Sequence, residues 1–170
     1  MTDLYIFRHG DTKISGSLVA KIFSHHGDTH TMPILPKSIP TLKKIGKYLK
    51  NIPTDVNFCS PYLRCVDSAK IAGTIAGKIY RADERIREFK EKGEKFSSFR
   101  KRVADFLEEI DKKGYSAVSI CTHGAVIAAL KHLKTHGNFF FFQVLDFPKP
   151  GNLIIIKNGE VNMVNFNKDA

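Results

Sequence analysis

The sequence has no tryptophan, only three cysteines and no long hydrophobic run. Cys59, Cys65 and Cys121 lie far apart and form no CxxC pair. An odd number of cysteines without a secretory leader indicates reduced, buried thiols in a cytoplasmic protein. The apolar stretch around residues 139–147 is too short to cross a bilayer, so no membrane segment is predicted. The N-terminus passes directly into a predicted strand and leaves no room for a signal peptide.

Acidic residues are few beside the basic ones: 17 Asp and Glu against 27 Lys and Arg give a formal net charge of +10. A positive field of this size attracts anions. The basic residues are spread along the chain without an aromatic-and-basic motif, which does not favour a nucleic acid as partner. A coding bias toward lysine would explain the excess equally well. With 170 residues and no internal repeat or linker, the chain is predicted to form a single domain, 1–170.

The N-terminal segment carries the first candidate site. Residues 4–7 are an apolar run typical of a strand buried on both faces, and Arg8, His9 and Gly10 follow directly. In open α/β sheets, ligands bind beyond the carboxyl ends of the strands. The planar guanidinium of Arg8 suits phosphate or carboxylate, and His9 can act as nucleophile, base or metal ligand. Gly10 allows a sharp turn and close approach of a ligand to the backbone.

A similar arrangement occurs late in the chain. Residues 117–121 predict another buried strand, which is followed by His123 and Gly124 and by a predicted helix over 125–133. His123 therefore comes at a strand end and just before a helix N-terminus, where free amides and the helix dipole favour an anion.

A third segment joins a predicted strand, 56–59, to a helix that runs to about Ala76. Ser60 is suited to cap this helix and Pro61 to its first position, so that Arg64 falls in the first turn. Helical spacing predicts an inner face of apolar residues: Leu63, Val66, Ala69, Ile71 and Ile75. A short third strand is predicted over 78–80, and the Asn158-Gly159 pair predicts a hairpin between the last two strands.

These segments together resemble the histidine phosphatase superfamily, also called phosphoglycerate mutase-like. The resemblance rests on the order and spacing of three motifs: Arg8-His9-Gly10, Ser60 with Arg64, and His123-Gly124. It implies an α/β fold, a three-layer α/β/α sandwich whose mostly parallel mixed sheet ends in an antiparallel C-terminal hairpin.

The resemblance also implies roles for these residues. His9 would form a phosphohistidine intermediate, while Arg8, Arg64 and His123 would bind the phosphoryl group. Four further positions would contact the substrate: Gly10, Thr12, Ser15 and Gly124. Ser15 stands where relatives commonly have asparagine, and its shorter side chain lacks the amide donors.

Relatives often place their proton donor in an L-x-E pattern. Residues 86–88 fit that pattern, which makes Glu88 the predicted general acid. Glu84 and Asp11 are the alternatives. No metal and no other cofactor is expected. A loop cluster, formed by His25, His26, Asp28 and His30, could be read as a metal site, but solvated histidines near an anion pocket are the preferred interpretation.

Few residues follow Glu88 before the next predicted helix, so the pocket is expected to be shallow and open. That suits a phosphatase acting on a small-molecule phosphorylated substrate or a phosphoprotein. A phosphoglycerate-type mutase and a non-catalytic module that binds phosphorylated ligands are the alternatives. Five phenylalanines within residues 138–147 favour core or helix packing, and the alternative is an apolar lip or the interface of a homodimer.

Overall fold

The computed structural model describes residues 1–13, 30–89 and 93–167. These residues form a six-stranded sheet whose strand order is β3-β2-β4-β1-β5-β6. The strands are β1 (Asp3–Arg8), β2 (Val56–Cys59), β3 (Arg81–Ala82), β4 (Ala117–Thr122), β5 (Asn152–Lys157) and β6 (Glu160–Asn165).

Four strands of this sheet are parallel. β1 and β2 both pair with β4, and β2 also pairs with β3. In the β1–β4 register Arg8 lies opposite Thr122, so His9 and His123 leave the sheet at the same edge. The chains that follow β1 and β4 therefore meet at the carboxyl end of the sheet, where open α/β proteins bind ligands.

The C-terminal hairpin is confirmed. β5 runs antiparallel to β1 and to β6. Asn158 and Gly159 connect the two strands with φ angles of 50° and 80°. Two consecutive residues with positive φ make the tight turn that matches the twist of a hairpin, and Asn-Gly adopts it at little steric cost.

Helices cover both faces of the sheet. They are α1 (Ile39–Lys50), α2 (Leu63–Ala76), α3 (Phe96–Lys112) and α4 (Gly124–His136). One buried cluster joins α1 and α2 to the sheet, and a second joins α3 and α4 to its other face. The predicted three-layer α/β/α sandwich is thus confirmed. No helix in the described part of the chain is both long enough and apolar enough to span a membrane.

The start of α2 differs from its prediction. The helix begins at Leu63 after an extended Tyr62 at its N-cap, so Ser60 and Pro61 lie before it rather than in it. Arg64 still falls in the first turn. Leu63 and Val66, predicted to face inward, are more than one-third exposed.

Small residues form the true inner face of α2. Ala69, Ala72 and Ala76 are buried there. A side chain at Gly46 of α1 would place its Cβ 2.5 Å from the backbone oxygen of Ala72. Because α1 and α2 pack this closely, the interface selects small residues, which contribute little to a pattern of hydrophobic spacing. The third strand lies at Arg81–Ala82, directly after the predicted 78–80 segment.

Candidate active site

His9 follows β1 and is almost completely buried. Its backbone N–H donates to the carbonyl oxygen of Thr122 at 3.1 Å, which ties the residue to the end of β4. Its ring Nδ1 lies 2.7 Å from the carbonyl oxygen of Gly10. A carbonyl only accepts, so Nδ1 must carry the ring proton. Nε2 is then unprotonated, and its lone pair accepts a hydrogen bond from Nε of Arg64 at 3.3 Å.

Arg64 is the second residue of α2 and is 6% exposed. Besides its bond to His9, its Nη2 lies 3.1 Å from Nδ1 of His123. Its guanidinium carbon lies 4.9 Å from the ring centroid of Tyr62. The aromatic ring and the two imidazoles hold the guanidinium group in a fixed position. Arg64 is therefore a buried residue of this cluster, although a residue in the first turn of a helix can also lie on the protein surface.

His123 is fully buried between β4 and α4. Its Nε2 lies 2.7 Å from the hydroxyl oxygen of Ser60, and its ring centroid lies 5.2 Å from that of His9. Arg64 donates to Nδ1, so the proton of the neutral ring sits on Nε2 and is donated to Ser60. Burial lowers the pKa of His123 well below 6.5, and the positive charge of Arg64 lowers this pKa further.

Arg8 ends β1 and is 8% exposed. Nη1 donates to the carbonyl oxygen of Pro148 at 3.4 Å, and the guanidinium carbon lies 4.9 Å from the ring centroid of Phe147. Its buried Nε has no hydrogen-bond partner within the described residues. Burial lowers the pKa of Arg8, although an arginine remains charged at neutral pH. A buried cation with a spare donor is suited to an anionic ligand.

Gly124 makes the position of Phe147 possible. A Cβ on Gly124 would lie 2.7 Å from the Phe147 ring. The absence of a side chain there lets the segment after α4 return over the end of β1 and support Arg8. Gly124 thus acts through packing in this structure.

Glu88 lies beside these groups. One carboxylate oxygen, Oε2, is 3.6 Å from Nη2 of Arg64 and 3.4 Å from Nδ1 of His123. The side chain is 32% exposed, so solvent or a leaving group can reach it. Glu84 is exposed on a 3₁₀ turn, and Asp11 pairs with Lys37 at 3.2 Å. Of the three acidic candidates, Glu88 is the one whose carboxylate contacts both Arg64 and His123 in the described part of the chain.

Gly10 is packed tightly against Ser38, which directly precedes α1. Its φ is not positive, but a Cβ there would lie 2.7 Å from Cβ of Ser38. Its backbone N–H donates to the hydroxyl of Ser68 at 3.0 Å, and that hydroxyl donates to the carbonyl oxygen of Arg64 at 2.6 Å. Ser68 therefore links the His9 loop to the first turn of α2. Thr12, two residues further along the chain, is also buried.

The remaining predicted residues belong to the segment between β1 and α1. Ser15, His25, His26 and Asp28 are outside the described residues. The His30 ring packs on Tyr62, with 4.3 Å between the centroids.

A different trio could supply metal ligands. Within the described residues, His9, Glu88 and His123 offer ligand atoms that all lie within 4.8 Å of one another. The guanidinium of Arg64 contacts all three side chains. Its fixed positive charge opposes a divalent cation and favours a polyanion at the same point.

Three contributors to the site escaped the sequence reasoning. Ser60 was assigned to a helix cap and instead holds His123, while Ser68 and Phe147 support Gly10 and Arg8. Only Ser60 had a usable signal, because it belongs to a motif with Arg64. The other two are brought in by packing between distant segments.

The sequence matches the model of the histidine phosphatase superfamily (branch 1) over residues 4–91 and 89–167. The chain therefore belongs to the histidine phosphatase superfamily. No curated protein matched the sequence.

Solved structures with the same fold include phosphatases and a mutase. The alpha-ribazole phosphatase from Shigella flexneri is 15% identical, with 98% of this chain and 96% of that chain covered and a TM-score of 0.73. YhfR from Bacillus stearothermophilus is 17% identical, with 100% and 98% covered and a TM-score of 0.73. Phosphoglycerate mutase from Bacillus anthracis is 14% identical, with 98% and 94% covered and a TM-score of 0.66. At these identities the likeness shows the fold.

Proposed function

We propose that the protein is a phosphatase that hydrolyses phosphomonoesters through a phosphohistidine on His9. One observation carries this proposal: the unprotonated Nε2 of His9 is directed to the guanidinium of Arg64, beside His123 and Glu88. A lone pair held among donors of positive charge is the arrangement required to attack the phosphorus of a bound anion.

The first step is an in-line displacement. The Nε2 lone pair of His9 forms the N–P bond while the bond from phosphorus to the leaving oxygen breaks. The proton stays on Nδ1, which donates it in a hydrogen bond to the carbonyl oxygen of Gly10, and this bond holds the ring in the reactive tautomer. Arg8 and Arg64 neutralise charge on the phosphoryl oxygens, and removal of one such preorganised donor typically raises the barrier by about 3 kcal/mol.

Glu88 is the proposed general acid. It gives its proton to the leaving alcohol oxygen as the bond from phosphorus to that oxygen breaks. In the second step the Glu88 carboxylate takes a proton from water as the water oxygen attacks phosphorus. The N–P bond then breaks, and inorganic phosphate and free His9 result.

Hydrolysis is favoured over phosphoryl transfer between two positions of a substrate. α3 begins only eight positions after Glu88, and Glu88 itself is one-third exposed. Water can therefore reach the Glu88 carboxylate, which would activate it in the second step, whereas a mutase must protect its intermediate from water. We propose a small-molecule phosphorylated substrate or a phosphoprotein, without a resident metal or other cofactor.

The test is turnover of 4-nitrophenyl phosphate. Wild type should release phosphate, and His9→Ala should lower kcat by about 1,000-fold or more. His136→Ala, on an exposed histidine at the end of α4, is the matched control and should retain full activity. Equal inactivity of wild type and His9→Ala would favour the binding module, and formation of a phosphate isomer without phosphate release would favour a mutase.

The same assay tests metal independence. Because guanidinium groups supply the positive charge, prolonged incubation with a chelator should leave activity unchanged. Loss of activity that added metal restores would contradict the proposal.

A further inference from the structure

Arg102 binds the backbone that carries Glu88. It lies in the middle of α3, and its side chain is 11% exposed. Nη1 donates to the carbonyl oxygens of Arg85 and Arg87 at 2.7 and 2.9 Å. Nη2 donates to the carbonyl oxygen of Glu88 at 3.0 Å. One side chain thus binds three carbonyls within four consecutive residues.

A buried carboxylate fixes the guanidinium of Arg102. Nε and Nη2 donate to the two carboxylate oxygens of Glu94 at 2.6 and 2.8 Å, and the Glu94 side chain is 7% exposed. The Arg102 guanidinium also lies over the ring of Phe99, 4.8 Å from its centroid. A bidentate ion pair and a stacked ring define the plane of the guanidinium group, so the direction of its remaining donors is also defined.

The segment held in this way has little regular structure of its own. Residues 84–86 form one 3₁₀ turn, and residues 87–89 lie in neither helix nor strand. Thr122 donates to the carbonyl oxygen of Ile86 at 2.7 Å, at the base of the segment. Arg102 binds the backbone on both sides of Ile86, including the carbonyl of Glu88. The side chain of Glu88 projects from this segment toward Arg64 and His123.

We propose that Arg102, through its hydrogen bond to the Glu88 backbone, is a positioning residue that places the Glu88 carboxyl beside the leaving oxygen of the substrate. This inference rests on the proposed function of Glu88. Arg102 itself touches no reacting atom, and its effect reaches the reaction only through the geometry of proton donation.

The dependence of rate on the leaving group separates positioning from a general structural role. An alkoxide leaves slowly unless a proton is supplied, whereas 4-nitrophenolate is stable without one. Misplacement of Glu88 should therefore slow alkyl phosphates far more than 4-nitrophenyl phosphate. A partly unfolded or generally distorted site would slow both substrates alike.

The experiment compares Arg102→Met with Arg87→Met on 4-nitrophenyl phosphate and on a simple alkyl phosphate. Arg87 is the matched control, because it binds the same Glu94 carboxylate at 3.2 Å and precedes Glu88, but does not bind the Glu88 carbonyl. Arg102→Met should lower kcat/KM for the alkyl ester by about 10- to 100-fold and for the nitrophenyl ester by less than about threefold. Arg87→Met should leave the ratio of the two rates unchanged. Equal losses on both substrates for Arg102→Met would overturn the inference.

A double variant tests whether Arg102 acts through Glu88. If it does, Arg102→Met should add little to the loss that Glu88→Gln causes on the alkyl ester. Fully additive losses would overturn the inference. If Glu88→Gln lowers kcat/KM equally for both substrates, the proposed role of Glu88 as general acid fails. If Glu88→Gln is selective and Arg102→Met is not, only the role of Arg102 fails.

If Arg102→Met does not fold, Arg102→Lys is the variant that tests the positioning role. It keeps the charge beside Glu94 but cannot bind the carboxylate in bidentate fashion while also reaching three carbonyls. A folded lysine variant should be selectively slow on the alkyl ester, and an unchanged ratio of the two rates would contradict positioning.

Discussion

Ser60 orients the buried imidazole of His123 through one hydrogen bond. It accepts the Nε2 proton of His123, and this leaves Nδ1 of the neutral ring to face Arg64 and Glu88. Its backbone N–H also donates to the carbonyl oxygen of Cys121 at 3.0 Å, which joins the end of β2 to β4. Arg64, which can only donate, determines the tautomer of His123, and Ser60 determines the orientation of its ring.

We expect Ser60→Ala to lower kcat by about 10- to 100-fold, because the imidazole loses its orienting partner. The free energy of unfolding should also fall by about 1–3 kcal/mol, since a buried N–H is left unpaired. Ser119→Ala is the matched control: Ser119 is equally buried, but its hydroxyl pairs with that of Tyr80 at 2.7 Å. It should lose similar stability in chemical denaturation and keep its kcat. Equal kcat values for the two variants would contradict the assignment.

At the scale of elements, the chain after α4 divides into a buried and an exposed part. Phe139 is fully buried and its ring contacts those of Phe96, Phe99 and His132. Phe142, in the 3₁₀ helix Phe141–Leu145, is 78% exposed. The sequence could not separate these two environments, because consecutive phenylalanines carry no periodic signal. Core packing and an exposed apolar surface are both present within the same segment.

Alanine substitutions should reveal this division. Phe139→Ala should lower the free energy of unfolding by about 3–5 kcal/mol, as expected for removal of a buried aromatic ring. Phe142→Ala should change it by less than about 0.5 kcal/mol. Denaturant titration of both variants measures the difference, and similar losses for the two would contradict the structure of this segment.

Sedimentation of Phe142→Ser beside wild type tests whether the exposed phenylalanines form the interface of a homodimer. A shift from a dimer to a smaller species in the variant would support a homodimer, and identical sedimentation of the two proteins would contradict it.

In the molecule as a whole, the free energy of unfolding should depend on pH because the folded protein keeps His123 neutral. The unfolded chain protonates this imidazole near pH 6.5, whereas the folded protein resists protonation because the pKa is lowered by burial and by Arg64. Below pH 6.5 the unfolded state therefore binds more protons. Stability contributed by His123 is fully present above this pH and is lost as the pH falls.

Between pH 7.5 and 5.5, this single group should reduce the free energy of unfolding by at most about 1.4 kcal/mol, the value for an imidazole that stays neutral throughout in the folded protein. The measurement is chemical denaturation of wild type and His123→Gln in buffers without phosphate. Wild type should lose more stability than the variant over this interval, by no more than about 1.4 kcal/mol. Parallel pH profiles would mean that His123 is protonated as readily in the folded protein as in the unfolded chain. Asp83 and Asp111, whose pKa values are lowered, titrate in a more acidic range and do not interfere.

Much of the architecture was predictable because its signals are local. Buried strands, the Asn-Gly turn and the glycine that ends α2 each depend on a few adjacent residues. The inner face of α2 was predicted in part: Ala69 is buried as expected, whereas Leu63 and Val66 are exposed. Ala72 and Ala76 were missed because the close contact with α1 selects alanine, which contributes little to a hydrophobic pattern.

Strand ends and helix starts are local properties, so the residues that end β1 and β4 and the residue in the first turn of α2 can be identified from the amino-acid sequence. Parallel pairing of β1 and β2 with β4 then brings His9, Arg64 and His123 to one edge of the sheet. The protonated nitrogen of each imidazole, and the contacts of Ser60, Phe147 and Arg102, are properties of the folded chain. Those features depend on contacts between segments far apart in the chain, and the distances and directions of such contacts arise from packing.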